Sequence, residues 1–74
     1  MYLDVRTKEE YEEGHYPDAL HHDLALLMQG IMPPLEKTIE LKVYCRSGNR
    51  SEIAKEILLE NGFTNVTNIG GFNN

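Results

Sequence analysis

The run Leu41-Lys42-Val43-Tyr44-Cys45 is apolar at most positions and passes directly into the polar turn Arg46-Ser47-Gly48-Asn49. A helical pattern follows from Ser51 to Asn61. A strand of this composition reads as one covered on both faces, which is the habit of parallel sheets flanked by helices. The rest of the chain repeats the alternation. Leu3 to Val5 predicts a strand, and Thr7-Lys8-Glu9-Glu10 reads as a capping box opening a helix that Gly14 ends. His15 to Asp18 reads as a turn, Ala19-Leu20-His21 as a second strand, and Asp23 to Gln29 as an apolar helix. Gly30 and Pro33-Pro34 break that helix, with Pro34 starting a further helical turn through Leu35 to Thr38. In the helix after Cys45, Ile53, Ala54, Ile57 and Leu58 form one stripe, Glu52, Lys55, Glu56 and Glu60 face water, and Gly62 supplies the stop. Val66 to Ile69 predicts a fourth strand, ending at Gly70-Gly71. Strand and helix in strict alternation imply an α/β fold with a parallel sheet and right-handed crossovers. Arg6, Cys45 and Gly70-Gly71 then emerge at the carboxyl edge of the sheet, where such folds bind ligands.

At 74 residues the chain is expected to form a single small domain, 1–74, with one core. Its 41% hydrophobic and 26% charged content suits a soluble globular protein, with no apolar run of membrane-spanning length and no basic, hydrophobic leader at Met1-Tyr2-Leu3-Asp4. A net charge of -5 argues against nucleic acid, which needs clustered cations to displace counterions. The one cysteine excludes an internal disulfide or a multi-thiolate metal site, leaving a buried thiol or a reactive one.

The residues around Cys45 favour reactivity. A thiolate needs oriented N–H groups, a helix N-terminus and nearby cations. Gly48 permits the backbone to curl its N–H groups inward as an anion nest, and Arg46 and Arg50 add forked donors suited to an oxyanion such as thiosulfate. A merely buried cysteine gives no reason for these arginines, although either could instead pair with Asp4 or a glutamate. Glu9, Glu10, Glu12 and Glu13 read as a solvated helix face. His21-His22-Asp23 does not read as a metal site, because adjacent strand residues point to opposite faces.

Cys45-Arg46-Ser47-Gly48-Asn49-Arg50-Ser51 resembles the active-site loop of single-domain rhodaneses, the thiosulfate sulfurtransferases. Leu3-Asp4-Val5-Arg6 resembles that family's Asp-Val-Arg strand, and Glu10 to Ala19 its Tyr, three residues, His, apolar, Pro-Gly-Ala signature. Val66-Thr67-Asn68-Ile69-Gly70-Gly71 is similar to its closing strand and double glycine. Val43-Tyr44-Cys45, Ala54 to Leu58 and Gly62 to Val66 are similar to its very short bacterial periplasmic members. Asp18 departs from the pattern, standing where the family has glycine, as does His21-His22-Asp23. The chain also begins at the Asp-Val-Arg strand and ends three residues after Gly71, without the family's extra first strand and helix or its closing helix.

The resemblance implies a rhodanese-like three-layer α/β/α fold with four parallel strands in the order 4-3-1-2. It implies Cys45 as the catalytic nucleophile, Arg46, Ser47, Gly48, Asn49 and Arg50 as the substrate cradle, a structural role for His15, and no cofactor or metal. The reaction would take the outer sulfur of thiosulfate, or another sulfane donor, onto Cys45 as a persulfide, release sulfite, and pass the sulfur to cyanide or a thiol, either a small thiol or a thioredoxin-like protein. Monomeric action, no membrane or nucleic-acid partner, and a periplasmic setting, with the cytoplasm as the alternative, complete the expectation. The alternatives are a weakly or non-catalytic module that carries persulfide to a protein partner or docks on one, and a rhodanese-fold phosphatase. Four residues separate Cys45 from Arg50, one fewer than in the phosphatases of this fold, which favours sulfur.

Overall fold

The computed structural model describes residues 1–72. Its elements are β1 (Tyr2–Asp4), α1 (Lys8–Glu13), β2 (Leu20–His21), α2 (Leu24–Met28), β3 (Leu41–Cys45), α3 (Asn49–Glu60) and β4 (Val66–Gly71). The strands lie in the order β2-β1-β3-β4, all parallel, which is the expected 4-3-1-2 seen from the other edge. Alternation along the strands sends Leu3, Val5, Leu41, Val43 and Cys45 to one face, where they meet Leu27 of α2, Ala54 and Leu58 of α3, and Phe63 in a single core. Tyr44 points the other way. It is fully buried there by edge-on contact with Tyr16 at 4.8 Å and by Phe72 at 5.7 Å.

The helix ends obey local chemistry. Thr7 accepts from the Glu10 N–H while the Glu10 carboxylate accepts from the Thr7 N–H, closing the capping box that opens α1. At the far end of α3, the Gly62 N–H bonds the Leu59 carbonyl and the Phe63 N–H bonds Leu58, with Gly62 at φ 95. That is a Schellman stop, which also turns Phe63 into the core.

Three expectations are corrected. No helical turn forms from Pro34 to Thr38; the Leu35 N–H bonds the Pro33 carbonyl two residues back, a tight turn that launches no i to i−4 ladder. α3 starts at Asn49 rather than Ser51, because Gly48 makes the turn and Asn49 can already take helical geometry. Ile53 is 46% exposed instead of lying in the buried stripe, which runs through Ser51, Ala54 and Leu58. Ile53 sits about 100° around the helix from Ala54, outside the strip that the sheet covers.

One buried ion pair ties β1 to the end of α1. The Arg6 guanidinium donates to Asp4 at 2.7 Å and to the Gly14 carbonyl at 2.6 Å, with both charged side chains at 3% exposure or less.

Candidate active site

Cys45 ends β3 beneath the turn that leads into α3. Gly48 makes that turn with φ 99, in the left-handed region that favours glycine, and its N–H donates to Cys45 Sγ at 3.0 Å. The Ser51 hydroxyl, one turn into α3, lies 3.5 Å from the same sulfur. Burial pushes the thiol up, but the Ser51 hydroxyl and the N–H groups of Ser51, Gly48 and Ser47 outweigh it and bring its pKa down from 9.0 to about 7. Cys45 is fully buried, and Arg46, Ser47 and Asn49 of the turn above it are exposed.

β4 forms a wall of the cradle. Cys45 pairs with Gly71, and the Phe72 N–H bonds the Cys45 carbonyl at 2.7 Å. A Cβ on Gly71 would collide with the Arg46 carbonyl, so glycine there lets strand and loop touch. A register shift between Val43 and Tyr44 leaves Ile69 without a partner in the ladder, and pairing resumes with Tyr44 opposite Gly70. Asn68 then reaches under α3, where its Nδ2 donates to the Gly48 carbonyl at 3.1 Å and to Glu52 at 3.0 Å, and its Oδ1 accepts from Ser51 at 2.7 Å and from the Gly70 N–H at 2.9 Å.

The two loop arginines occupy different surroundings. Arg50 donates through both terminal nitrogens to Glu10, at 2.7 and 3.0 Å, while Arg46 is 69% exposed and 3.9 Å from the same carboxylate. Glu10 is thus not part of a solvated acidic face. Hydrogen bonds from Arg50 hold its carboxyl down, burial opposes them, and Thr7 reinforces them, leaving a pKa of about 2. His15 Nδ1 meets the Tyr11 carbonyl at 2.7 Å and its ring stacks on Tyr11, away from Cys45's contacts. His21 and His22 are engaged by the Arg6 and Ile31 carbonyls. No group of three potential metal-ligating side chains converges among the described residues.

The structure brings the six residues Cys45 to Arg50 together across the end of β3, the turn and the start of α3, and sets beside them Ser51, which belongs to the resembling motif but was given no role, and Asn68 and Glu10. Ser51 carried a local signal, since it follows Arg50 directly and falls on the helix face above Cys45. Asn68 carried none, whereas the expectation that a loop arginine could pair with a glutamate is met by Arg50 and Glu10 without the sequence saying which glutamate.

A thiol acidified by converging N–H donors at the carboxyl edge of a parallel sheet defines a class of protein, α/β domains equipped for nucleophilic chemistry on anionic sulfur or phosphorus groups. Comparison with known proteins narrows the class. The profile of the rhodanese-like domain matches residues 1–74. The chain is 39% identical over 71 residues to the thiosulfate sulfurtransferase PspE of Escherichia coli, covering 95% of this chain and 68% of that protein. It is 40% identical over 70 residues to the thiosulfate sulfurtransferase GlpE of Coxiella burnetii, covering 93% and 64%. The chain thus spans about two thirds of the length of both relatives. A solved rhodanese with anions from E. coli superposes with a TM-score of 0.83 at 39% identity, covering 95% of this chain and 84% of that one. The chain belongs to the rhodanese-like family, and its relatives place it among the sulfurtransferase enzymes.

Proposed function

We propose that this protein is a thiosulfate sulfurtransferase whose nucleophile is Cys45. The observation that carries the reading is the Gly48 N–H on Cys45 Sγ at 3.0 Å, within a loop of four residues between Cys45 and Arg50. The Cys45 thiolate attacks the outer sulfur of thiosulfate, the S–S bond of the donor breaks, and its electron pair leaves with sulfite. The terminal sulfur of the resulting persulfide takes the place beneath the loop amides, which stabilise its negative charge. Cyanide or a thiolate then attacks that sulfur, and the electron pair returns to Cys45. No oxidant, metal or proton donor is needed in either half.

Arg46, Ser47, Gly48 and Asn49 form the mouth that receives the sulfonate end of the donor. Arg46 is the cation able to swing onto it, because its side chain is exposed and only loosely held. Arg50, fixed by Glu10, contributes a positive charge to the field around Cys45 while its forked donors remain occupied. The solved relative's anions are consistent with such a cradle. The periplasmic setting and a thioredoxin-like acceptor belong to the same proposal.

Intact-mass measurement after incubation with thiosulfate at neutral pH tests it. One added sulfur atom on Cys45, removed by dithiothreitol and absent in Cys45→Ser, is expected, together with thiocyanate formation from thiosulfate and cyanide. Hydrolysis of aryl phosphates with no sulfur adduct would overturn the assignment.

A further inference from the structure

The Ser51 hydroxyl has one proton and three acceptors within reach: Asn68 Oδ1 at 2.7 Å, the Gly48 carbonyl at 3.0 Å and Cys45 Sγ at 3.5 Å. Ser51 is fully buried, so water does not compete for that proton. Asn68 cannot turn its amide around to decline it. Its Nδ2 is committed to the Gly48 carbonyl and Glu52, and its Oδ1 is further held by the Gly70 N–H, which fixes the oxygen toward Ser51.

We infer that Asn68 is a positioning residue that competes with Cys45 for the Ser51 proton, so that Ser51 donates to Asn68 when the sulfur is neutral and to Sγ when it is charged. A neutral thiol is a weak acceptor, and the amide oxygen at 2.7 Å takes the bond. A thiolate is an anion in a buried site and draws the hydroxyl to itself. Ser51 keeps its proton throughout; the thiol proton is lost to solvent, and only the direction of one O–H bond changes. Stabilising the thiolate therefore costs the Ser51 to Asn68 bond, which sets how acidic Cys45 becomes. Asn68 restrains the sulfur from becoming too stable an anion, and a thiolate of very low pKa is a poorer nucleophile.

The charged groups around Cys45 are accounted for separately. Arg46 and Arg50 of the loop and helix start favour the thiolate, Glu10 on α1 and Asp23 at the start of α2 offset Arg50, and Glu52 on α3 is bonded to Asn68. Asp4 at the end of β1 and Arg6 just after it neutralise each other, and β4 has no ionisable side chain.

The inference rests on Cys45 acting as a thiolate, but its test needs no substrate: thiolate absorbance near the ultraviolet edge and iodoacetamide reactivity are followed against pH. Asn68→Ala removes the competing acceptor and should lower the midpoint of thiolate formation by about 0.5 to 1 pH unit. Asn68→Asp offers Ser51 a stronger, anionic acceptor and should raise it. In a Ser51→Ala background, Asn68→Ala should produce no further change, since the two act through one bond. A residue that merely braced the loop would loosen the amide nest when truncated, raising the midpoint with or without Ser51. A rise in Asn68→Ala, or a shift that persists in the Ser51→Ala background, would overturn the inference. Sulfur transfer measured in parallel separates the two ideas: absence of any sulfur adduct on the unaltered protein defeats the sulfurtransferase reading while leaving these midpoints interpretable.

Discussion

Arg50 donates through both terminal guanidinium nitrogens to Glu10, at 2.7 and 3.0 Å, across forty residues of chain. The same carboxylate closes the capping box on Thr7. The start of α1 and the start of α3 are thereby joined through one side chain, and the loop between Cys45 and α3 is braced from outside. Replacing Glu10 with Gln keeps the shape and removes the charge, leaving Arg50 half-buried without its partner. We expect a loss of about 1 kcal/mol, the range for a partly exposed bidentate pair.

The same pair predicts an acid signature. The folded-state pKa of Glu10 lies at about 2, below its ordinary value of 4.5, so its contribution to stability is fully present above pH 4.5 and is lost as pH falls toward 2. Urea unfolding from pH 6 down to pH 2 should therefore show a steeper decline for the unaltered protein than for Glu10→Gln. Parallel curves would mean that the pair contributes nothing to acid stability.

Gly71→Ala should disturb the turn and the acidity of the Cys45 thiol together. The new Cβ meets the Arg46 carbonyl, a backbone atom that cannot swing aside, so strand or loop has to move. The cost is about 1 to 3 kcal/mol, as for overpacking elsewhere. Because the displaced segment carries the amides that acidify Cys45, the pH midpoint of alkylation should rise in the folded variant. A lower melting temperature with an unchanged alkylation profile would separate the two effects and refute the coupling.

Arg6→Ala should be severe. It strands the fully buried Asp4 carboxylate and frees the Gly14 carbonyl, a loss of about 3 to 5 kcal/mol. Removing Asp4 as well should restore part of that loss, since the double variant no longer buries an unpaired charge. Denaturation of the single and double variants measures the difference, and simple additivity would contradict the account.

Asp18 adopts φ 63, a conformation that costs a residue with a Cβ about 1 kcal/mol or more. Asp18→Gly relieves this, offset in part by the greater freedom of glycine in the unfolded chain. We expect a net gain of about 0.5 kcal/mol, visible as a higher melting temperature. A fall would show that the Asp18 side chain contributes more than its backbone strain costs.

What could be read from the sequence was what depends on neighbours in the chain. The Thr7 box, the Gly62 stop, the apolar β3 and the Gly48 turn each rest on residues within a few positions of one another, and each is found where expected. The strand order came through resemblance rather than local pattern. Glu10 was misread because its partner is forty residues away, and four glutamates in the five positions from Glu9 to Glu13 look solvated whatever one of them touches. Asn68 escaped notice because its aim depends on the bulge at Ile69, which alternation of residue types does not announce. Ile53 was placed in the core by a stripe drawn too wide, when small residues at Ser51 and Ala54 let α3 settle on a narrower face.

Under the proposed function, the pairing of Glu10 with Arg50 also governs how a donor anion would find the site. With one loop cation cancelled, attraction comes from short-range amide dipoles and the exposed Arg46, while the molecule as a whole carries a charge of -5. At low salt, where the screening length is about 30 Å, a dianion meets that repulsion well before it meets the cradle, whereas at physiological salt, with a screening length of about 8 Å, it does not. Moderate salt should therefore accelerate the first encounter instead of slowing it. The rate of persulfide formation at limiting thiosulfate, followed from low to physiological ionic strength, should rise, and Glu10→Gln should flatten that rise by letting the positive loop be felt at a distance.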